Sequence, residues 1–295
     1  MEIGREIFWN VGGGARWLTY ALMVITLIVL YVGLKKRYSM WKFAKGKCAP
    51  FDFSKRLWER IGYFIENGIF HKSIMRESFP GTMHFFIFWG FLILAIGTAL
   101  VAFQDDIVRP FFKANILQGG FYLIFSAVLD AAGLVAIIGI VMAIWRRYVT
   151  KPSRLDNKTD DAITLVWILV VLITGFLVEG ARIASTRPDF EVWSFVGWIT
   201  SYLFLGLSPD GIKITHKFFW YLHMLISFGL IAYIAYSRLI HIVTSSLNMM
   251  FRGVEDTPRG AIAPIEDFEN AEEFGINSIE NFTWRQIFDL DACTR

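Results

Sequence analysis

The chain has 295 residues, of which 55% are hydrophobic, 17% aromatic and only 19% charged, and its mean hydropathy is +0.47. That composition excludes an ordinary soluble domain and indicates an integral membrane protein. The net charge of +3 is not a nucleic-acid signal, because the basic residues sit in loops flanking apolar runs.

The first apolar run, Trp17 to Leu34, has its positive cluster behind it at Lys35, Lys36 and Arg37 and no small-residue cleavage site. It is therefore expected to stay as the first span, with the N-terminus outside. The following loop carries FDFSKRLWERIGYFIENGIF, whose apolar residues recur at helical spacing, so an amphipathic helix on the inner surface is expected there. His71, just beyond it, reads as a surface histidine. Four further runs have spanning length: Thr82 to Phe103, Phe121 to Ile144, Ala162 to Ala184 and Phe218 to His241. Val192 to Leu207 is also apolar, but it is short and rich in Trp and Tyr, so it reads as a helix in or against the outer interface. Lys and Arg number eleven between the first and second spans, two between the second and third, and five between the third and fourth. The alternation puts the C-terminus in the cytoplasm of a cell whose inner membrane holds the protein. After Phe251 the chain turns polar, acidic and Pro-containing, as a strap leading to another domain would. The expected fold is an all-α integral membrane five-helix bundle over residues 1–250, with a linker over 251–295. Cys48 and Cys293 both fall on the cytoplasmic side, where no structural disulfide is expected.

Three of the five histidines lie between Ile214 and Asn248. Taken as one helix, this segment puts His223 and His241 eighteen residues apart, which is about five whole turns and roughly 27 Å along one face. Such a helix could hold two haems stacked across a bilayer. His84, at the start of the second span, matches His241 in depth and could complete a bis-imidazole site, while Gly81, Gly90 and Gly97 would allow close approach of a helix or a flat macrocycle. Taken singly, each histidine is equally well explained as a polar residue at a helix end. At the depth of His223, the stretch Leu94 to Thr98 offers no histidine or methionine, which leaves open whether an outer haem is five-coordinate, takes another ligand or is absent.

Charge inside the spans calls for partners, because each such group costs a few kcal/mol or more near mid-bilayer. Glu179 and Arg182 stand at i and i+3, as an ion pair or as parts of a pocket. In the pocket reading His216, Glu179 and Lys217 handle protons for a quinone and Arg182 contacts a haem propionate. Asp130 reads either as the acceptor that fixes a ligand histidine or as a helix–helix polar contact.

Several stretches together resemble a known family: GTMHFFIFWGFLIL, FYLIFSAVLDAAGLVAIIGIVMAIWRRYVTKPSRLDNKTDDA, TGFLVEGARIA, HKFFWYLHM with the later HIVTSSLN, and FGINSIENFTWRQIFDLDACTR. They are similar to the nitrate reductase gamma-like cytochrome b part of iron–sulfur oxidoreductases related to heterodisulfide reductase, in particular those of the electron-transfer-flavoprotein:menaquinone oxidoreductase type. The resemblance implies five spans, two haems b held by the second and fifth, and a menaquinone site near the outer haem. By position His84 and His241 match the inner ligands and His223 the outer one, while Leu94 stands where two-haem gamma subunits carry a second histidine. It further implies that Cys293 is the first ligand of a [4Fe-4S] cluster whose other ligands lie beyond this chain, with reduced electron-transfer flavoprotein as donor. A quinol-oxidising anchor of a reductase complex is the rival within the same chemistry. A proton channel or transporter is the rival outside it, and the sequence shows neither broken helix pair nor inverted repeat to support it.

Overall fold

A computed structural model describes residues 3–4, 6–44, 56–251, 269 and 276–292, and among these it contains helices and turns but no strand. The long helices are α1 (Gly13–Trp41), α3 (Ser78–Phe103), α4 (Gly119–Ile144), α5 (Thr159–Thr186) and α7 (Pro209–Tyr233). Between and after them lie α2 (Leu57–Phe64), α6 (Phe195–Ser201), α8 (His241–Met250) and α9 (Trp284–Asp291). With their π- and 3-10-helical extensions, five helices are long and apolar enough to cross a membrane: Gly13–Trp41, Ser78–Phe112, Gly119–Thr150, Thr159–Thr186 and Pro209–Tyr236. The five-span, all-α reading therefore holds.

Local chemistry explains the ends. Helix α5 starts where the Asp161 carboxylate accepts the Lys158 backbone N–H, in a first turn that also carries Asp160. Helix α7 opens on Pro209, with the Ser208 hydroxyl accepting the Gly211 N–H. Helix α9 opens with a reciprocal cap between Thr283 and Gln286. The apolar stretch after α5 folds as a 3-10 turn, Asp189–Trp193, and the short helix α6, which packs on α5 and α4 and is too short to span.

Two expectations are corrected. The segment from Ile214 to Asn248 is not one helix. Ser237 is extended, at φ −123° and ψ −179°, its hydroxyl accepts the Leu239 N–H, and a 3-10 turn, Arg238–Ile240, leads into α8 at His241. A serine that caps a new helix has broken the old one, so the five-turn register between His223 and His241 does not exist. His71 is also no surface residue. It is only 1% exposed, adopts φ +57°, and its Nδ1 lies 2.9 Å from the Ile69 carbonyl, to which it donates. The amphipathic helix expected before it is present as α2 and its continuation to Ile69. Cys48, Cys293 and, apart from position 269, the strap over 252–275 lie outside the described residues.

The chain forms two compact units, Met1–Thr26 with Glu77–Ile231, and Leu27–Arg76 with Ala232–Arg295. In the second, α9 is tied to α1 by the Arg37–Asp291 ion pair (2.7 Å) and by Trp41, whose indole donates to Asp291 and whose ring meets Phe288 edge-on. Phe251 closes on the other side of Phe288. In the first, α3 and α4 approach through small residues used reciprocally. A Cβ on Gly90 would fall 2.7 Å from the Ala132 carbonyl oxygen, and one on Gly139 2.9 Å from the Ile87 nitrogen. Gly97 likewise makes room for Leu129. Of the two roles open to these glycines, the structure assigns Gly90 and Gly97 to helix packing. Gly90→Ala should therefore overpack the seam and cost about 1–3 kcal/mol. Thermal unfolding in detergent should show a clear drop against Gly14→Ala, whose new methyl would meet nothing within 4 Å.

Candidate functional site

The first unit gathers its buried charge where α4 begins and α5 ends. Arg182, on α5, donates from Nη1 and Nη2 to the two carboxylate oxygens of Glu191 at 2.5 and 3.0 Å. The Tyr122 hydroxyl, from the first turn of α4, donates to the same carboxylate at 3.1 Å. Glu191 is 1% exposed and Arg182 7%. Burial acts to raise the Glu191 carboxyl, but the Arg182 hydrogen bonds and charge outweigh it, with help from Tyr122, and hold it below the usual carboxylate range. Glu179 stands 3.7 Å from Arg182, so the i, i+3 contact exists but is the weaker of the two. Both terminal nitrogens of Arg182 are on Glu191, so of its two readings the ion pair is present, with Glu191 as the nearer partner. Of its two readings, Asp130 takes the polar contact between helices. Its carboxylate accepts the Val196 and Gly197 N–H groups at 2.6 and 3.1 Å, so it secures the start of α6 and orients no histidine.

His216 is 2% exposed. The Trp9 ring meets it edge-on, with centroids 4.7 Å apart, and the Asn10 amide, which donates to the Lys213 carbonyl at 2.7 Å, stands 3.5 Å from its Nδ1. Phe8 and Asn10 hold these contacts with φ of 63° and 62°, strained for a phenylalanine. Lys217 follows His216 but lies about 100° round α7 and is exposed. Of the three proton-handling candidates, His216 is thus enclosed by the N-terminal segment, Glu179 lies against Arg182 and Gly197, and Lys217 faces outward.

Two of the ligand candidates have an engaged Nδ1. His241 Nδ1 lies 2.7 Å from the Arg238 carbonyl, an acceptor only, so Nδ1 is the donor. His223 Nδ1 lies 3.0 Å from the Thr174 hydroxyl on α5. His84 lies on α3, one residue after Met83, whose backbone carbonyl is at the α4 seam. Haem b is held through imidazole nitrogen, and a histidine whose Nδ1 is engaged by an acceptor is in the form that binds iron through Nε2. In addition, the Trp89 indole and the Ser227 hydroxyl are buried without a hydrogen-bond partner among the described residues, a deficit that a bound group can meet. These residues fit the cofactor.

Comparison with known proteins agrees. The model of the nitrate reductase gamma subunit family matches residues 78–255. The chain belongs to that family. The EtfAB:quinone oxidoreductase of Syntrophomonas wolfei subsp. wolfei is 34% identical over all of this chain and 42% of its own length. The probable iron–sulfur-binding oxidoreductase FadF of Bacillus subtilis is 22% identical over 95% of this chain and 38% of its own. A component of the dihydromethanophenazine:CoB–CoM heterodisulfide reductase of Methanosarcina acetivorans is 27% identical over 78% of this chain and 89% of its own. The chain thus spans less than half the length of the first two relatives. No solved structure matches it. It is a multi-pass membrane electron-transfer module of a family that implies haem b.

Sequence reasoning missed Glu191, Tyr122, Asn10 and Thr174. Only Glu191 carried a signal, as an acid in the aromatic stretch DFEVW. Arg182→Ala should leave Glu191 buried and unpaired at a cost of about 3–5 kcal/mol, whereas Arg182→Met with Glu191→Leu should cost much less. Because the Glu191 carboxyl is held low, its contribution to stability is present above the unfolded value near about 4.3 and is lost as pH falls through the folded one. Thermal melts from pH 7 to pH 3 should show this loss in the parent and not in Glu191→Gln.

Proposed function

We propose that the chain is the cytochrome b part of a menaquinone-linked oxidoreductase, passing electrons between cytoplasmic iron–sulfur clusters and menaquinone, with reduced electron-transfer flavoprotein as the donor. The observation that carries this reading is the pair of histidines, His223 and His241, whose Nδ1 atoms are engaged so that Nε2 is the nitrogen suited to iron. Family membership supplies the context. Bound haem b supplies one-electron exchange, and bound menaquinone takes up two electrons and two protons.

The protein's residues do the rest. His84 and His241 are assigned to one haem from their sequence depth and family position, and His223 to the other. His216 is buried against Trp9 and Asn10, and its ring is the group proposed to give a hydrogen bond to a quinone carbonyl. Glu179, half-buried beside Arg182, is the carboxyl that exchanges the proton, and the exposed Lys217 links that end to solvent. Arg182 and Glu191 hold the framework of this end rigid. Cys293 is assigned as a ligand of a [4Fe-4S] cluster.

A second reading reverses the electron flow, making the chain a quinol-oxidising anchor. It is favoured by the heterodisulfide reductase relative, which this chain matches over 89% of its length. Both readings require haem. A reduced-minus-oxidised spectrum with haem quantified per chain should show two haems in the parent. The same one should be lost in His84→Ala and His241→Ala, and the other in His223→Ala. A well-folded preparation without haem would overturn both readings in favour of a transport role.

A further inference from the structure

We propose that Thr174 and Gly175 form a seat on α5 that fixes the His223 ring with Nε2 as its iron-binding nitrogen, Thr174 acting as a positioning residue. The inference rests on His223 being a haem ligand and says how the protein sets that ligand.

Thr174 is 4% exposed. Its hydroxyl oxygen lies 2.8 Å from the Val170 carbonyl oxygen and 3.0 Å from that of Val171, on its own helix. Both carbonyls only accept, so the hydroxyl proton goes to one of them. The oxygen is left with lone pairs toward His223 Nδ1, 3.0 Å away, which must then be the donor. The result is a directed chain, from imidazole N–H to hydroxyl to backbone carbonyl, in which each bond polarises the next.

Gly175 supplies the shape of the seat. A Cβ there would lie 3.3 Å from His223 Cε1, 3.8 Å from Nδ1 and 3.9 Å from Nε2, so the missing side chain lets the ring lie close against the α5 backbone. The adjacent pair thus sets two properties of one ring, its tautomer through Thr174 and its tilt through Gly175. A hydrogen bond accepted from Nδ1–H makes the imidazole a stronger donor, which stabilises the oxidised iron and lowers the potential of that haem alone. A structural polar contact between α5 and α7 would stabilise the fold but leave no mark on one haem's potential.

The test uses the full chain in detergent or nanodiscs, with Thr174→Val, Thr174→Ser, Gly175→Ala and His223→Ala. Haem per chain, a redox titration of each haem and low-temperature electron paramagnetic resonance are read on all four. In Thr174→Val the midpoint potential of the haem that His223→Ala removes should rise, its ferric signal should shift, and its retention against a competing haem acceptor should fall about tenfold or more. Thr174→Ser should restore all three. Should Thr174→Val fail to assemble, Gly175→Ala, which keeps the hydroxyl and pushes the ring, must still shift the signal of the same haem. Parent-like potentials and signals in Thr174→Val or Gly175→Ala, with haem lost in His223→Ala, would overturn the seat and keep the ligand. Full haem content in His223→Ala would overturn the ligand assignment itself, and the seat with it.

Discussion

Inside a bilayer a polar group has no water to turn to, and the buried end of the first unit is arranged around that constraint. The bidentate Arg182–Glu191 pair answers it for two charges at once, with Tyr122 taking up remaining acceptor capacity. Asp130 answers it by accepting two backbone N–H groups at the start of α6, donors that would otherwise be orphaned. These groups tie α4, α5 and the segment between α5 and α7 together. Apolar contacts such as Ala181, Ala184, Phe204 and Ile212 fill the space beside them.

The same economy governs helix spacing. Lipid offers no hydrophobic drive for one helix to leave it for another, so α3 and α4 gain by bringing backbones close, and the glycines at 90, 97 and 139 make this possible. A seam that tight has no room for a flat macrocycle.

Much of the architecture was legible in the chain, because a span needs an apolar run of a definite length and little else. The five spans, the short helix before α7 and the amphipathic α2 all announce themselves in this way. The structure lengthened the spans, since helices run on past the hydrocarbon when their flanks can be capped, as Asp161 and Ser208 do for α5 and α7. What hydropathy did not show was the break at Ser237, where one hydroxyl outweighs a favourable apolar context, and the burial of His71, which depends on a left-handed residue. The candidate site divides along the same line. Histidines stand out in an apolar helix, so His216 and His223 could be named. Thr174 and Tyr122 could not, because threonine and tyrosine are ordinary in membrane helices and their task depends on a neighbour 49 or 69 residues away.

The extended residue at Ser237 bears on how such a chain can vary. In an unbroken helix, one inserted residue turns everything downstream by about 100° and would swing a ligand off its face. A non-helical joint resets the phase, so α8 takes its rotation from the Ser237-capped 3-10 turn that leads into it and not from the residue count since His223. Residues on either side of it can then accept insertions and deletions independently.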